Sequence, residues 1–221
     1  MPDIHVIEPI SWEGGGPVSK GPGGRPQQVS LHQGELDRAC GVYSLLMALL
    51  VWGVVDRDDL VGHAYDGRER LGKFMEQVRT LFSGLIVEGT QMDELRDLVA
   101  ETFHTRLDWE YWPYSGTSVR RFAHAHLAQD RPVILGLRSG STAHAVLAIG
   151  YEAGGPDGAS APPRRFLLLD PSRSDRHASP WNASVRTIAD PGPRPYRFTG
   201  GPDGSETSVS FDTALAVWAR N

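Results

Sequence analysis

The sequence predicts an α+β protein, with a helical first half and a strand-rich second half that change over near residue 131. Two observations carry this. Before the change, apolar residues recur at helical spacing, as in Leu71, Phe74, Val78 and Leu81. Beyond it they come in short β-rich runs, PVILGL at 132 to 137, HAVLAIGY at 144 to 151 and RFLLLD at 165 to 170.

Taken in order, residues 1 to 30 read as an irregular arm with one short strand near HVIEPI, because glycine and proline interrupt every later pattern in it. Residues 31 to 221 then form one domain. From Cys40 the run CGVYSLLMALLVWG is apolar on nearly every face, which predicts a helix buried all round, with Gly53 as its stop. Asp56 caps RDDLVGHAY, and RERLGKFMEQVRTLF forms an amphipathic helix. Thr90 with Asp93 resembles a capping box opening QMDELRDLVAETF, and Ser118 opens VRRFAHAHLAQD. After the three strong strands come weaker candidates near SVRTI, YRF and SVSF, and FDTALAVWARN closes the chain as a packed helix. Helix and sheet each bury one side and meet at a cleft.

Composition narrows the function. A chain of 221 residues with 40% hydrophobic and 22% charged residues has ordinary globular composition, enough for one substantial core. The net charge of -5, with no basic stripe, argues against nucleic acid as a partner. The longest apolar segment, residues 45 to 55, is too short to span a bilayer, so no membrane role is expected. The N-terminus shows no secretory signal pattern. A single cysteine excludes an internal disulfide and suits a reducing, cytoplasmic setting.

That lone thiol then needs another explanation. Cys40 stands at the first turn of the most buried helix, where open backbone N–H groups and the helix dipole favour a thiolate. By position alone it could equally be a small buried hydrophobe. The surrounding segment QGELDRACGVYSLLMAL, with a glutamine and then Cys-Gly opening an apolar helix, resembles the start of papain-like cysteine peptidases. STAHAVLAIGY at 141 to 151 resembles the strand that carries their base histidine, and RFLLLDPS ends a strand on Asp170 directly before Pro171. The motif pattern is closest to the double-glycine leader, or bacteriocin-processing-type, peptidases. The resemblance covers residues 33 to 171.

The resemblance implies a papain-like fold, with a central buried helix carrying the cysteine packed against an antiparallel sheet half carrying His144 and Asp170. It implies a catalytic triad in which Cys40 attacks a carbonyl, His144 is its base and Asp170 orients that histidine. The Cys40 backbone N–H and the Gln33 amide would hold the oxyanion. Gln33 departs from the pattern, since it precedes Cys40 by seven residues where the family usually has six; a one-residue bulge would accommodate it, and Gln27, Gln28 or a backbone amide alone could serve instead. The long segment at 152 to 164 lengthens the hairpin joining the His144 and Asp170 strands at little cost in stability.

Other features are weaker pointers. His124 and His126 lie two residues apart on a helix, about 200° apart, and cannot share an ion, so no metal is expected. The glycine-rich stretch GGGPVSKGPGG lacks the strand and Gly-Lys-Ser/Thr ending of a phosphate loop, and no cofactor is expected. DWEYWPY reads as a half-buried strand rather than an aromatic substrate groove. Trp181 and Asn182 follow Asp170, where the family often shields its triad with an aromatic. The leading expectation is a peptidase acting on a peptide or protein. A transglutaminase-like acyl transferase on the same scaffold and a non-catalytic peptide-binding module are the alternatives.

Overall fold

Antiparallel strand pairing, rather than helix packing, organises this chain. The computed structural model describes residues 3–13, 15–33, 39–62, 66–81, 91–154, 162–174, 179–200 and 204–220. Four short strands lie in the first 30 residues, β1 (Ile4–Val6), β2 (Ser11–Glu13), β3 (Gly16–Lys20) and β4 (Pro26–Gln28). Helices α1 (Cys40–Val51), α2 (Arg57–Val61), α3 (Arg70–Leu81) and α4 (Met92–Phe103) follow, then β5 (Leu107–Trp112) and α5 (Thr117–Leu127). The remainder is strand: β6 (Val133–Ser139), β7 (Thr142–Glu152), β8 (Arg165–Leu169), β9 (Ala183–Arg186), β10 (Tyr196–Gly200) and β11 (Glu206–Ala219).

Strands β7, β6, β11, β10, β9 and β8 pair in that order, and β8 pairs back onto β7, so six antiparallel strands close into a barrel. Closure removes the exposed edges that an open sheet would leave. Strand β1 adds to β7 and β5 adds to β11 outside the ring, while β2, β3 and β4 form a separate three-stranded sheet. Of the five helices found among the described residues, α1 lies on β7 and β6, α4 on β5 and β11, and α5 on β11, β6 and β7, while α3 packs on α4. None is long and apolar enough to cross a membrane.

This corrects the expected fold. A papain-like helical half facing a sheet half is not what forms; the molecule is mainly antiparallel β, built on a closed barrel. The decisive element is β11. Its segment ALAVWA was expected in a closing helix, yet it is strand, paired with β6 on one side and β5 on the other, while the earlier residues of β11 pair with β10. Ala214, Leu215, Ala216 and Val217 are all fully buried. A strand covered on both faces loses the alternation that would identify it, so periodicity alone does not separate it from a buried helix. The N-terminal arm, expected to be irregular with one strand, likewise supplies β1 to the barrel wall and the small sheet that underlies α1.

Several local expectations match the structure. In α1, Gly41 and every residue from Ser44 to Val51 are buried, and Gly53 follows the helix end with φ of 59°. Asp56 caps α2 by accepting a hydrogen bond from Asp58 N at 2.8 Å. DWEYWPY supplies β5. The α4 cap differs: Gln91 N donates to Glu94 Oε2 at 2.8 Å, and Thr90 lies outside the described residues. Ser118 sits inside the first turn of α5, where it donates to Ser115 O and accepts from Trp112 Nε1.

Candidate active site

The barrel wall and helix α1 meet at Ala145. Its backbone N–H points at Cys40 Sγ, 3.3 Å away, and its carbonyl accepts from the buried Ser44 hydroxyl at 3.2 Å. Cys40 and Ser44 are four residues apart and so share one face of α1. Two contacts to one residue therefore fix the cysteine beside the residue preceding Ala145, which is His144. Strand geometry sends neighbouring side chains to opposite faces, so His144 is aimed away from the side chain of Ala145.

Cys40 is the first residue of α1, and Ala39 before it offers no side-chain cap. The opening N–H groups of the helix are thus available to a negative charge. Burial pushes the Cys40 thiol up, but a hydrogen bond from His144, its positive charge and the N–H groups of Ala145 and Gly41 outweigh burial and hold it below its ordinary value.

His144 Nε2 donates to Asp170 Oδ1 at 2.8 Å. With that nitrogen committed, Nδ1 is the one left to face the thiol. Burial alone would push the imidazole down, yet its hydrogen bonds to Asp170 and Cys40 and the charges of both raise it to about 10. Asp170 is itself 1% exposed. Burial works to raise its carboxyl, and the bond and charge of His144 together with two donors from Ser172 keep it below the ordinary carboxylate range. Those donors are Ser172 N at 2.9 Å and Ser172 Oγ at 2.7 Å, both to Oδ1. Along the series the surroundings lower the thiol, raise the imidazole and lower the carboxyl, which favours charge separation between Cys40 and His144.

Asp170 is held from behind as well. The buried Asn182 accepts from Asp170 N through Oδ1 at 2.7 Å and donates through Nδ2 to Asp170 O at 3.0 Å and Arg173 O at 3.1 Å. Phe198 of β10 stands edge to face with the His144 ring, centroids 6.4 Å apart. Trp181, the aromatic expected near the triad, packs against the hydrophobic core beside it.

Gln33 enters the site from the other side, with its backbone N–H on Pro171 O at 2.8 Å, directly after Asp170. Gln33 lines the same cavity as His144 and Asp170, and its Oε1 is buried without a hydrogen bond among the described residues. The other two glutamines lie elsewhere. Gln27 binds Leu50 O, Val55 O and Arg57 N at the far end of α1, and Gln28 pairs with Val18 in the small sheet.

The cavity, of about 270 Å³, is the mouth of the barrel, formed by the ends of β6, β7, β10 and β11 and by the turn after β8. Barrel mouths are habitual ligand sites. His124 and His126, set aside as metal ligands, make separate contacts in α5: His124 packs on Tyr151, and His126 reaches Glu110 at 3.2 Å.

The structure thus places Cys40 against His144 and Ala145, His144 against Asp170, and Gln33 on the cavity that His144 and Asp170 line. Sequence reasoning missed Ser44, Ser172 and Phe198, and it gave Asn182 no role. Ser172 left a signal, since a serine two residues after an aspartate fits an Asx turn. Ser44 and Phe198 left none, because their importance depends on which strand lies opposite. Comparison with protein-family models, with curated proteins and with solved structures gives no match in any of the three.

Proposed function

We propose that this protein is a thiol hydrolase, a cysteine peptidase that cleaves a peptide or isopeptide bond through Cys40, His144 and Asp170. The observation that carries the reading is the unbroken series of contacts from the Cys40 thiol through His144 to a buried carboxylate, 2.8 Å from Nε2. The order of the three motifs along the chain, which resembles that of bacteriocin-processing-type peptidases, supports the chemistry; it does not extend to the barrel.

In the resting site the thiol proton resides on His144, which leaves Cys40 as thiolate. Sγ attacks the substrate carbonyl carbon, and the carbonyl π electrons move onto oxygen. The oxyanion is received by the backbone N–H of Cys40 and by the Gln33 amide. As the tetrahedral intermediate collapses, the C–N bond breaks and His144 gives its proton to the departing amine, leaving an acyl-thioester. His144 then takes a proton from water, whose oxygen displaces Sγ and releases the acid. Throughout, Asp170 keeps the ring in one tautomer and balances its charge. A reducing, cytoplasmic setting would keep the thiol active, and the substrate would be a peptide or protein.

Alkylation tests the reading. Cys40 should react with iodoacetamide at pH 7 well faster than an ordinary thiol, Cys40→Ala should abolish the labelling, and His144→Ala should slow it by about tenfold or more. Labelling at the rate of free cysteine, unaffected by His144→Ala, would sink the assignment. Formation of an amide rather than the acid when a simple primary alkylamine at low concentration is the acceptor would assign the acyl-transfer reading instead.

A further inference from the structure

The barrel-mouth cavity is asymmetric about the site. His144 lines it and Cys40 does not. In the mechanism proposed above, His144 protonates the departing amine, so the leaving group lies on its side of the scissile bond. The cavity is therefore placed to receive the residue that follows the cleaved bond.

Its chemistry narrows what that residue is. Leu137, Phe198 and Val209 make one wall apolar, enough for a short alkyl stem. The charged groups are His144, Asp170 and Arg173. Asp170 is occupied by His144 and Ser172. Arg173 is held only by a long ion pair. Among the described residues its nearest acid is Asp170 Oδ2, 3.8 Å from Nε and beyond hydrogen-bond distance, and that buried Nε makes no hydrogen bond among them. The root of the side chain is nonetheless fixed, because Arg173 N donates to Asp170 O at 3.1 Å and Arg173 O accepts from Asn182. The Arg173 side chain is 41% exposed and lines the cavity, and a guanidinium so placed can offer its outer N–H groups to a carboxylate in a two-point fork.

We propose that the barrel mouth is a leaving-group subsite selective for a carboxylate, carried by the residue immediately after the scissile bond either as an acidic side chain or as the C-terminus, with Arg173 as its recognition residue. The proposal rests on the thiol-hydrolase reading, and its test separates the two. Cys40 is alkylated with N-iodoacetyl-glutamine amide, which is neutral, N-iodoacetyl-glutamate amide, which carries only a side-chain carboxylate, and N-iodoacetyl-glutamine, which carries only a terminal one. Each rate is divided by that of iodoacetamide on the same protein.

In the wild type at low salt one carboxylate reagent should exceed the neutral one by about fivefold or more, and which one does so identifies the source. The preference should fall with added salt, disappear in Arg173→Gln and persist in part in Arg173→Lys, which keeps the charge but loses the fork. No preference in the wild type, or one that Arg173→Gln leaves intact, overturns the subsite while the triad stands. Failure of iodoacetamide itself to label Cys40 overturns both.

Discussion

Asn182 commits its whole carboxamide to the main chain around Asp170, and this makes it a positioning residue for a group it never touches through its own charge. Removing it strands a buried N–H and weakens two carbonyl contacts, at a cost of about 1–3 kcal/mol. The more informative effect is on titration. Asp170 holds His144 protonated, and His144 in turn lowers Cys40, so a loosened Asp170 lets the Cys40 thiol drift back up. Asn182→Ala should therefore shift the acid limb of the iodoacetamide pH profile to higher pH, in addition to lowering the urea midpoint. A lower midpoint with an unmoved limb would mean that Asn182 only stabilises the fold. Ser172 bonds the carboxylate oxygen directly and divides the task with it: one fixes the side chain of Asp170, the other its backbone.

Helix α1 presents Cys40 at one end, and its other end explains why that presentation is rigid. Gly53 follows the helix in the left-handed region, at φ 59°, and a Cβ there would overlap Lys20 O in β3. Only glycine permits both the turn and the close approach of the small sheet. Gly53→Ala should cost about 1–3 kcal/mol through backbone strain and steric displacement of β3, read as a fall in the urea midpoint. An unchanged midpoint would show that α1 and the small sheet do not pack this closely. Elements of this kind were legible in the sequence: Gly53 announced the stop, Asp56 a cap, and runs such as PVILGL and RFLLLD their strands. Element β11 was not. Its apolar stretch is buried on both faces, and whether such a segment coils or extends is decided by β5 and β6, which lie far away along the chain. The same limit hid Phe198, which gains meaning only when the ring closes and β10, paired between β9 and β11, brings it to His144 of β7.

At the scale of the whole molecule the triad was easier to foresee than the barrel that holds it. A single cysteine, a histidine opening a strand and an aspartate ending the next one are local marks, whereas barrel closure is a property of non-local pairing and leaves no local mark. The coupled charges should nevertheless be visible in global stability. His144, raised to about 10 from an ordinary value of 6.5, contributes stability that is complete below pH 6.5 and is lost as pH rises toward 10. Cys40, lowered from an ordinary value of 9.0, contributes in the opposite sense: its share is complete above pH 9.0 and is lost as pH falls through its folded value. Above both 6.5 and the lowered value of Cys40, and up to 9.0, the folded protein thus keeps a proton on His144 that the unfolded chain has released, and lacks one on Cys40 that the unfolded chain retains. The two slopes oppose each other, so this pair adds little pH dependence in that window. Cys40→Ala removes one side of the balance while Asp170 still holds His144 above its ordinary value. Its stability should then decline from pH 6.5 to 9.0 relative to the wild type, measured as urea midpoints across that range. Parallel curves for the two proteins would show that Cys40 and His144 do not share a proton as an ion pair.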